Sequence, residues 1–207
     1  MPGEPMQSTK PYLSITQGKL NQKVEENTPG AIRRDYELKD GTKGTKFVHY
    51  FRNWTGVVKD LRLNDGQYGQ TLEIVFPDAI LVLNTESRYF TDFCKKIMAV
   101  DINQPITVSP FDFESDGKRI VGTTIYQNEV KVNSYYWDGE KNRNNLPEPP
   151  QKKKMTKDDW KIYFIKVKNF LIDEIQKQNQ KIDRTPEIPQ IDEEEGEEIK
   201  IKDIPFN

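Results

Sequence analysis

Between Ser87 and Val100 the spacing of apolar residues changes from every second position to every third and fourth, and after Pro105 it changes back. Phe90, Phe93, Cys94, Ile97 and Met98 stand at i, i+3, i+4, i+7 and i+8, which is one face of an amphipathic helix. The flanking stretches carry the period of strands. Residues 56–63 read as a strand, 64–69 as the turn that ends it, and 71–76 as its hairpin partner, with Leu72, Ile74 and Phe76 on one face. Pro77 and Asp78 break that partner, and residues 79–83 give a third strand. Beyond the helix, residues 106–108, 111–113, 119–126 and 130–135 alternate again. This order predicts an α+β, mainly β fold: a largely antiparallel sheet with one helix inserted after the third of its main strands.

Residues 1–11 are polar and proline-rich, the composition of a flexible arm. Tyr12-Leu13-Ser14-Ile15 is the first strand-like alternation, and residues 46–54 alternate aromatic with polar side chains, so extra N-terminal strands are expected. At the other end, residues 138–155 read as a linker in which Pro147, Pro149 and Pro150 lead into Lys152, Lys153 and Lys154. Thr156 and Asp159 then have the spacing of a capping box, which opens a C-terminal helix over 156–182. Trp160, Phe164, Val167, Leu171 and Ile175 form its apolar stripe, flanked by Tyr163 and Ile172. That stripe must be buried against the body or against a copy of itself, so a homo-oligomer is one expected assembly. The organisation read from sequence is an arm (1–11), a body (12–137), a linker (138–155), a helix (156–182) and a disordered acidic tail (183–207).

The tail divides the charge of the chain. From Glu187 onward there are eight acidic residues against Lys200 and Lys202, a net of −6, whereas the whole chain is −2 and the preceding part therefore +4. A block of like charge stays solvated and does not collapse on itself. Yet this one ends in Asp203, Ile204, Pro205, Phe206 and Asn207, an apolar tip that no core requires.

Asp203-Ile204-Pro205-Phe206 resembles the acidic, Asp-Ile-Pro-Phe-ending tail of bacterial single-stranded DNA-binding proteins. The resemblance implies that these four residues dock replication or repair proteins. It also implies that the body is an OB-fold coating single strands. Asn207 follows the phenylalanine, and Lys202 stands where that family usually has another acid, so a partner pocket unlike the bacterial one is expected. Residues 104–113 followed by 117–122 are similar to phage single-stranded DNA-binding proteins, which carry a comparable proline-aromatic-acid stretch before their last barrel strands. Three strands, a helix and two further strands is the order of a five-stranded OB barrel whose helix plugs the gap between strands 3 and 4.

Single-strand binding needs exposed rings on which bases stack and cations along the backbone path. With residues 46–54 extended, Tyr50, Arg52 and Trp54 share one face, and Phe47, His49 and Phe51 share the other. Lys59, Arg62, Tyr68, Lys118, Arg119, Tyr126, Lys131, Tyr135, Tyr136 and Trp137 complete the set of expected DNA contacts. Any one strand ring serves equally well as core filling, and a lone lysine as solvated surface. The tail is expected to compete with DNA for the basic groove. Two other readings stay open, a phage-type structural or adaptor protein and an RNA-binding OB protein.

Other classes lack the residues they require. With Cys94 and His49 each the single residue of its type, no disulfide pairing is available and a zinc site is short of ligands, so no metal and no cofactor is expected. Phosphate-loop and metalloprotease motifs are absent, and Asp112, Glu114 and Asp116 fall in a turn-rich stretch, so no enzyme activity is expected. No apolar run approaches the ~18 residues of a membrane span, and residues 1–5 do not resemble a signal peptide. The expected setting is the cytoplasm of a bacterial cell or of a phage-infected host.

Overall fold

The period-two stretches pair into two sheets. In the structure, a computed structural model describing residues 10–37, 41–66, 69–136, 144–150 and 156–184, the first sheet runs β3 (Ile32–Glu37), β4 (Lys43–Phe51), β2 (Lys19–Val24), β1 (Tyr12–Thr16), β8 (Ile80–Asn84), β7 (Gly69–Val75) and β6 (Asp60–Gly66). The second runs β11 (Val130–Lys131), β10 (Lys118–Gln127), β9 (Ile106–Ser115) and β5 (Trp54–Gly56). Helix α1 (Arg88–Ile97) follows β8, and α2 (Lys157–Asn179) closes the described chain. The fold is α+β and mainly β.

The strand expected over 56–63 is divided between the sheets. Its start lies in β5, which pairs with β9 (Trp54↔Val108), and its continuation is β6, which pairs with β7 (Leu61↔Ile74). Residues 57–59 carry the chain across, held by the Lys59 N–H donating to the Val75 carbonyl at 2.8 Å. The two short strands expected at 106–108 and 111–113 are instead one, β9, which passes straight through Pro110. Proline is tolerated there because its cross-strand partner Thr123 asks nothing of it. The Thr123 N–H donates to Asp92 Oδ2 at 2.7 Å and its carbonyl accepts from Lys96 Nζ, so α1 covers this edge of β10. On the other side, β8 takes β1 as a parallel neighbour (Tyr12↔Ile80, Leu13↔Leu81). The described sheets are thus not closed into one hydrogen-bonded barrel.

Alternation sets the core. Leu13, Leu20, Leu61, Leu72, Ile74, Leu81 and Leu83 point from the first sheet toward Ile106, Val108 and Ile125 of the second. Between them lie Phe90, Phe93, Cys94 and Ile97, the α1 face expected from the spacing, all buried. Burial pushes the Cys94 thiol well above its usual range, so it behaves as an inert apolar group. Ser87 caps α1 by accepting from the Phe90 N–H at 3.1 Å, and Thr156 with Asp159 forms the expected capping box of α2. The stripe of α2 is only partly buried. Val167, Leu171 and Ile175 enter the core, but Trp160 and Phe164 remain 41% and 60% exposed.

The β1–β2 turn joins the two sheets. Gln17 and Gly18 both take positive φ, the geometry of a tight hairpin, and a Cβ on Gly18 would stand 2.5 Å from the Asp112 backbone nitrogen of β9. Only glycine permits that approach. The Gly18 N–H donates to the Tyr89 hydroxyl of α1 at 3.0 Å, which fixes the same corner.

Candidate nucleic-acid interface

The predicted contacts scatter. Tyr50 lies on the outer face of the first sheet, but Arg52 and Trp54 do not share that face. The strand ends at Phe51, the chain bends at Arg52 and Asn53, and Trp54 enters the second sheet on its inner side. There its ring packs edge-on against Phe51 with centroids 5.3 Å apart, and its indole N–H donates to Asp78 Oδ1 at 3.3 Å. Tyr136 is a second correction. It is wholly buried, packs edge-on against Phe170 of α2 at 5.6 Å, and its phenol pKa is pushed up, first by burial and then by Glu174. A base cannot stack on a ring enclosed between α1 and α2. Tyr68, Trp137 and the tip residues Asp203, Ile204, Pro205 and Phe206 lie outside the described residues.

Several predicted cations are already occupied. Arg62 is held by Asp60 at 2.7 Å, and Asp60 also accepts from Arg184 at 3.3 Å. Arg119 forms a two-pronged pair with Asp112 at 2.8 and 2.6 Å. That pairing holds the Asp112 carboxyl below its usual range. Lys59 is half-buried at the bend between the sheets.

Tyr126 and Lys131 are brought together, and Lys118 shares their face from the opposite end of β10. The register Ile120↔Phe113 and Tyr126↔Lys131 places Lys118, Ile120 and Tyr126 on the outer face of the second sheet with Phe111, Phe113 and Lys131. Phe113 is 51% exposed there, and its ring lies 5.7 Å from that of Phe111. Lys131 also borders an open depression of about 550 Å³ with Tyr135, Gln127, Asn128 and Asn144.

The larger surface is one that composition did not point to. Residues of even number in β4 and β3, and of odd number in β2, turn outward from the first sheet, because Val48 is paired with both Ile32 and Lys23. This places Lys19, Lys23, Arg34, Lys46, Tyr36 and Tyr50 on one face. No Asp or Glu of β1 to β4 lies on that face. Asp35 and Glu37 point to the opposite one, where they meet Arg33 at 3.2 Å and Lys43 at 3.6 Å. Lys19 Nζ stands 5.7 Å over the Tyr50 ring, and the Tyr36 ring packs against Gly44, where a Cβ would stand 2.5 Å from it. Arg34 is directly across from Lys46, and Lys23 is one step diagonal to it. The Lys46 ammonium is accordingly held below its usual pKa, first by desolvation and then by Arg34 and Lys23. Arg34 Nη1 is buried and donates to nothing among the described residues.

Of this group, only Tyr50 was legible from sequence. Lys19, Lys23, Arg34, Tyr36 and Lys46 come from three strands separated by turns, and pairing alone brings them together. The nearest sequence signal is the alternation through residues 43–51, which marks Lys46 and Tyr50 as sharing a face.

Among the described residues no group of His, Cys, Asp and Glu is arranged to hold a metal ion, and no helix is long and apolar enough to cross a membrane. No protein-family model matches the chain, and no curated protein and no solved structure matches it.

Proposed function

We propose that this chain binds single-stranded DNA with little regard to sequence, along the outer face of its first sheet. One observation carries the reading. Lys23, Arg34 and Lys46 lie between the rings of Tyr36 and Tyr50, with Lys19 beside Tyr50, on a face where β1 to β4 present no carboxylate. Cations for phosphates beside rings for bases are the parts that sequence-tolerant single-strand binding needs. Lys118, Phe113, Tyr126 and Lys131 of the second sheet offer a further stretch of the same chemistry. In this reading β5 with β6, then β7, β8, β9 and β10 correspond to the five OB strands, with α1 between the third and fourth, and β1 to β4 are an N-terminal addition that carries the main binding surface.

The segment from Glu187, with its charge of −6, competes for this face until DNA displaces it, and the tip from Asp203 to Phe206 then recruits a replication or repair protein. Deleting residues 187–207 tightens DNA binding at low salt, and the gain shrinks as salt rises. An oligonucleotide titration followed by tryptophan fluorescence and gel shift tests the reading, with single-stranded DNA, single-stranded RNA and duplex as separate arms. The DNA strand is expected to bind tightest. Absence of both quenching and shift refutes the proposal, and preference for RNA converts it to the RNA-binding alternative.

The adaptor reading draws on a different observation, the exposed Trp160, Ile162, Phe164 and Ile165 of α2. Indifference to every nucleic acid together with stable co-purification with another protein favours it.

A further inference from the structure

The cationic face is not uniform, and its centre is built unlike a solvated lysine patch. Arg34 and Lys46 are cross-strand partners, an arrangement that costs stability when both are charged. A surface protein without a use for that pair has simple remedies, since a carboxylate on the neighbouring Lys23 site would neutralise it. Ion pairs of this kind stand on the reverse of the same strands, where Arg33 meets Asp35. On the outer side none is present among the described residues, and the guanidinium is partly enclosed. Arg34 Nη1 is buried with no acceptor among the described residues, although a buried unsatisfied donor is costly and more so when charged. An acceptor-rich anion reaching this point would meet all of these demands at once.

We propose that Lys23, Arg34 and Lys46 form a discrete site for one phosphate group, whose non-bridging oxygens accept from Arg34 Nη1 and from the two ammonium groups. The guanidinium supplies a planar fork suited to a phosphate, and the two lysines supply compact charges on either side of it. The site lies in β2 to β4, in strands outside the five that correspond to an OB barrel. Naming its natural ligand as a backbone phosphodiester rests on the function proposed above. The site itself rests only on the three side chains. It fixes where the strand's backbone crosses the sheet, and so sets which bases meet Tyr36 and Tyr50 on either side.

The full chain, ¹⁵N-labelled, is titrated with inorganic phosphate while the arginine side-chain resonances are followed. The Arg34 signal is expected to shift and saturate, while those of Arg62 and Arg119, already engaged by carboxylates, stay still. In parallel, Arg34→Lys, which keeps the charge and loses the fork, is compared with wild type for binding of a single-stranded oligonucleotide across a salt series. About tenfold weaker binding is expected from the lost fork, with the salt slope preserved because the charge is retained. A phosphate response that never saturates, or that is equal at all three arginines, overturns the site. So does Arg34→Lys binding with unchanged affinity, and in that case DNA coating still stands. Saturable phosphate binding by a chain that ignores every oligonucleotide supports the site and refutes the function. If the variant does not fold, the phosphate titration on the wild-type chain decides alone.

Discussion

The two ends of the first sheet present the same kinds of residue to solvent and treat them in opposite ways. At the β6 and β7 end, Arg62 is bound by Asp60 and feels Glu73 across the strand pair, and Asp60 also takes Arg184 from beyond α2. Arg62 and Asp60 thus have counter-charges within the fold. At the β3, β4 and β2 end, Lys23, Arg34 and Lys46 crowd one another, and no carboxylate of β1 to β4 lies on their face. The first arrangement closes on itself and serves the structure. The second leaves its like charges facing one another, and on the reading proposed above it is this difference, more than the number of basic residues, that separates a binding surface from a solvated one.

The contrast breaks first if binding ignores it. Replacing Lys23, Arg34 and Lys46 together by alanine is expected to weaken binding of single-stranded DNA by about a thousandfold or more, since each charged contact is worth on the order of 1.5–3 kcal/mol. The salt slope falls by roughly 0.7, the value of the one phosphate that the three residues share. Arg62→Ala at the far end changes affinity less than about twofold. Equal losses at the two ends, measured by fluorescence anisotropy, would show that only net charge matters. The next effect is that of Tyr50→Ala, which removes a stacking platform and costs ~1–3 kcal/mol of binding, with the salt slope preserved because no phosphate contact is lost. A slope that changes with Tyr50 would mean that the ring acts only by positioning Lys19.

The sequence announced these two ends unequally. Helix α1 was legible down to its buried residues, because its spacing is local and Ser87 caps it within the same few residues. The β6 and β7 hairpin was legible for the same reason. The cationic face was not, since Lys23, Arg34 and Lys46 stand in three strands and nothing local states that Val48 pairs with both Lys23 and Ile32. Tyr135 ended an alternation expected over 130–135 that is a strand only at Val130–Lys131, and Tyr136 lay just beyond it. One is 40% exposed and the other wholly enclosed, and only the packing of α2 through Phe170 tells them apart. Trp54 was misplaced because alternation was extended through a bend at Arg52 and Asn53 that neither glycine nor proline marks. Sheet closure failed for a related reason. The edge of β8 goes to β1, a strand from the opposite end of the chain, and local pattern carries no information on such a partner.

Acid provides a smaller test. Burial raises the Asp60 carboxyl, but hydrogen bonds with Arg62, Asn179 and Arg184 outweigh it and leave the pKa below its usual value. A carboxyl depressed on folding contributes stability that is present above the unfolded pKa of about 3.9 and is lost as pH falls through the folded value. Wild type should therefore lose more stability below about pH 4 than Asp60→Asn does, while at pH 7 the variant is less stable by roughly 1 kcal/mol, the upper range for a partly exposed pair. Parallel denaturation curves for the two proteins across that window would show that the β6 end is not held by its charges.

The smallest effect has the opposite sign and sharpens the comparison most. The Lys46 ammonium is disfavoured by folding, so its cost to stability is fully present below its depressed folded pKa and vanishes once pH exceeds the unfolded value of about 10.4. Lys46→Met keeps the stem and removes the charge beside Arg34 and Lys23. It should stabilise the protein at pH 7 by a few tenths of a kcal/mol in urea denaturation, the scale of one like-charge cross-strand pair, and weaken DNA binding in the same preparation. Stability gained where binding is lost is the mark of a residue kept for its ligand and not for the fold. A Lys46→Met protein that is less stable and binds equally well would make this end of the sheet the same in kind as the other.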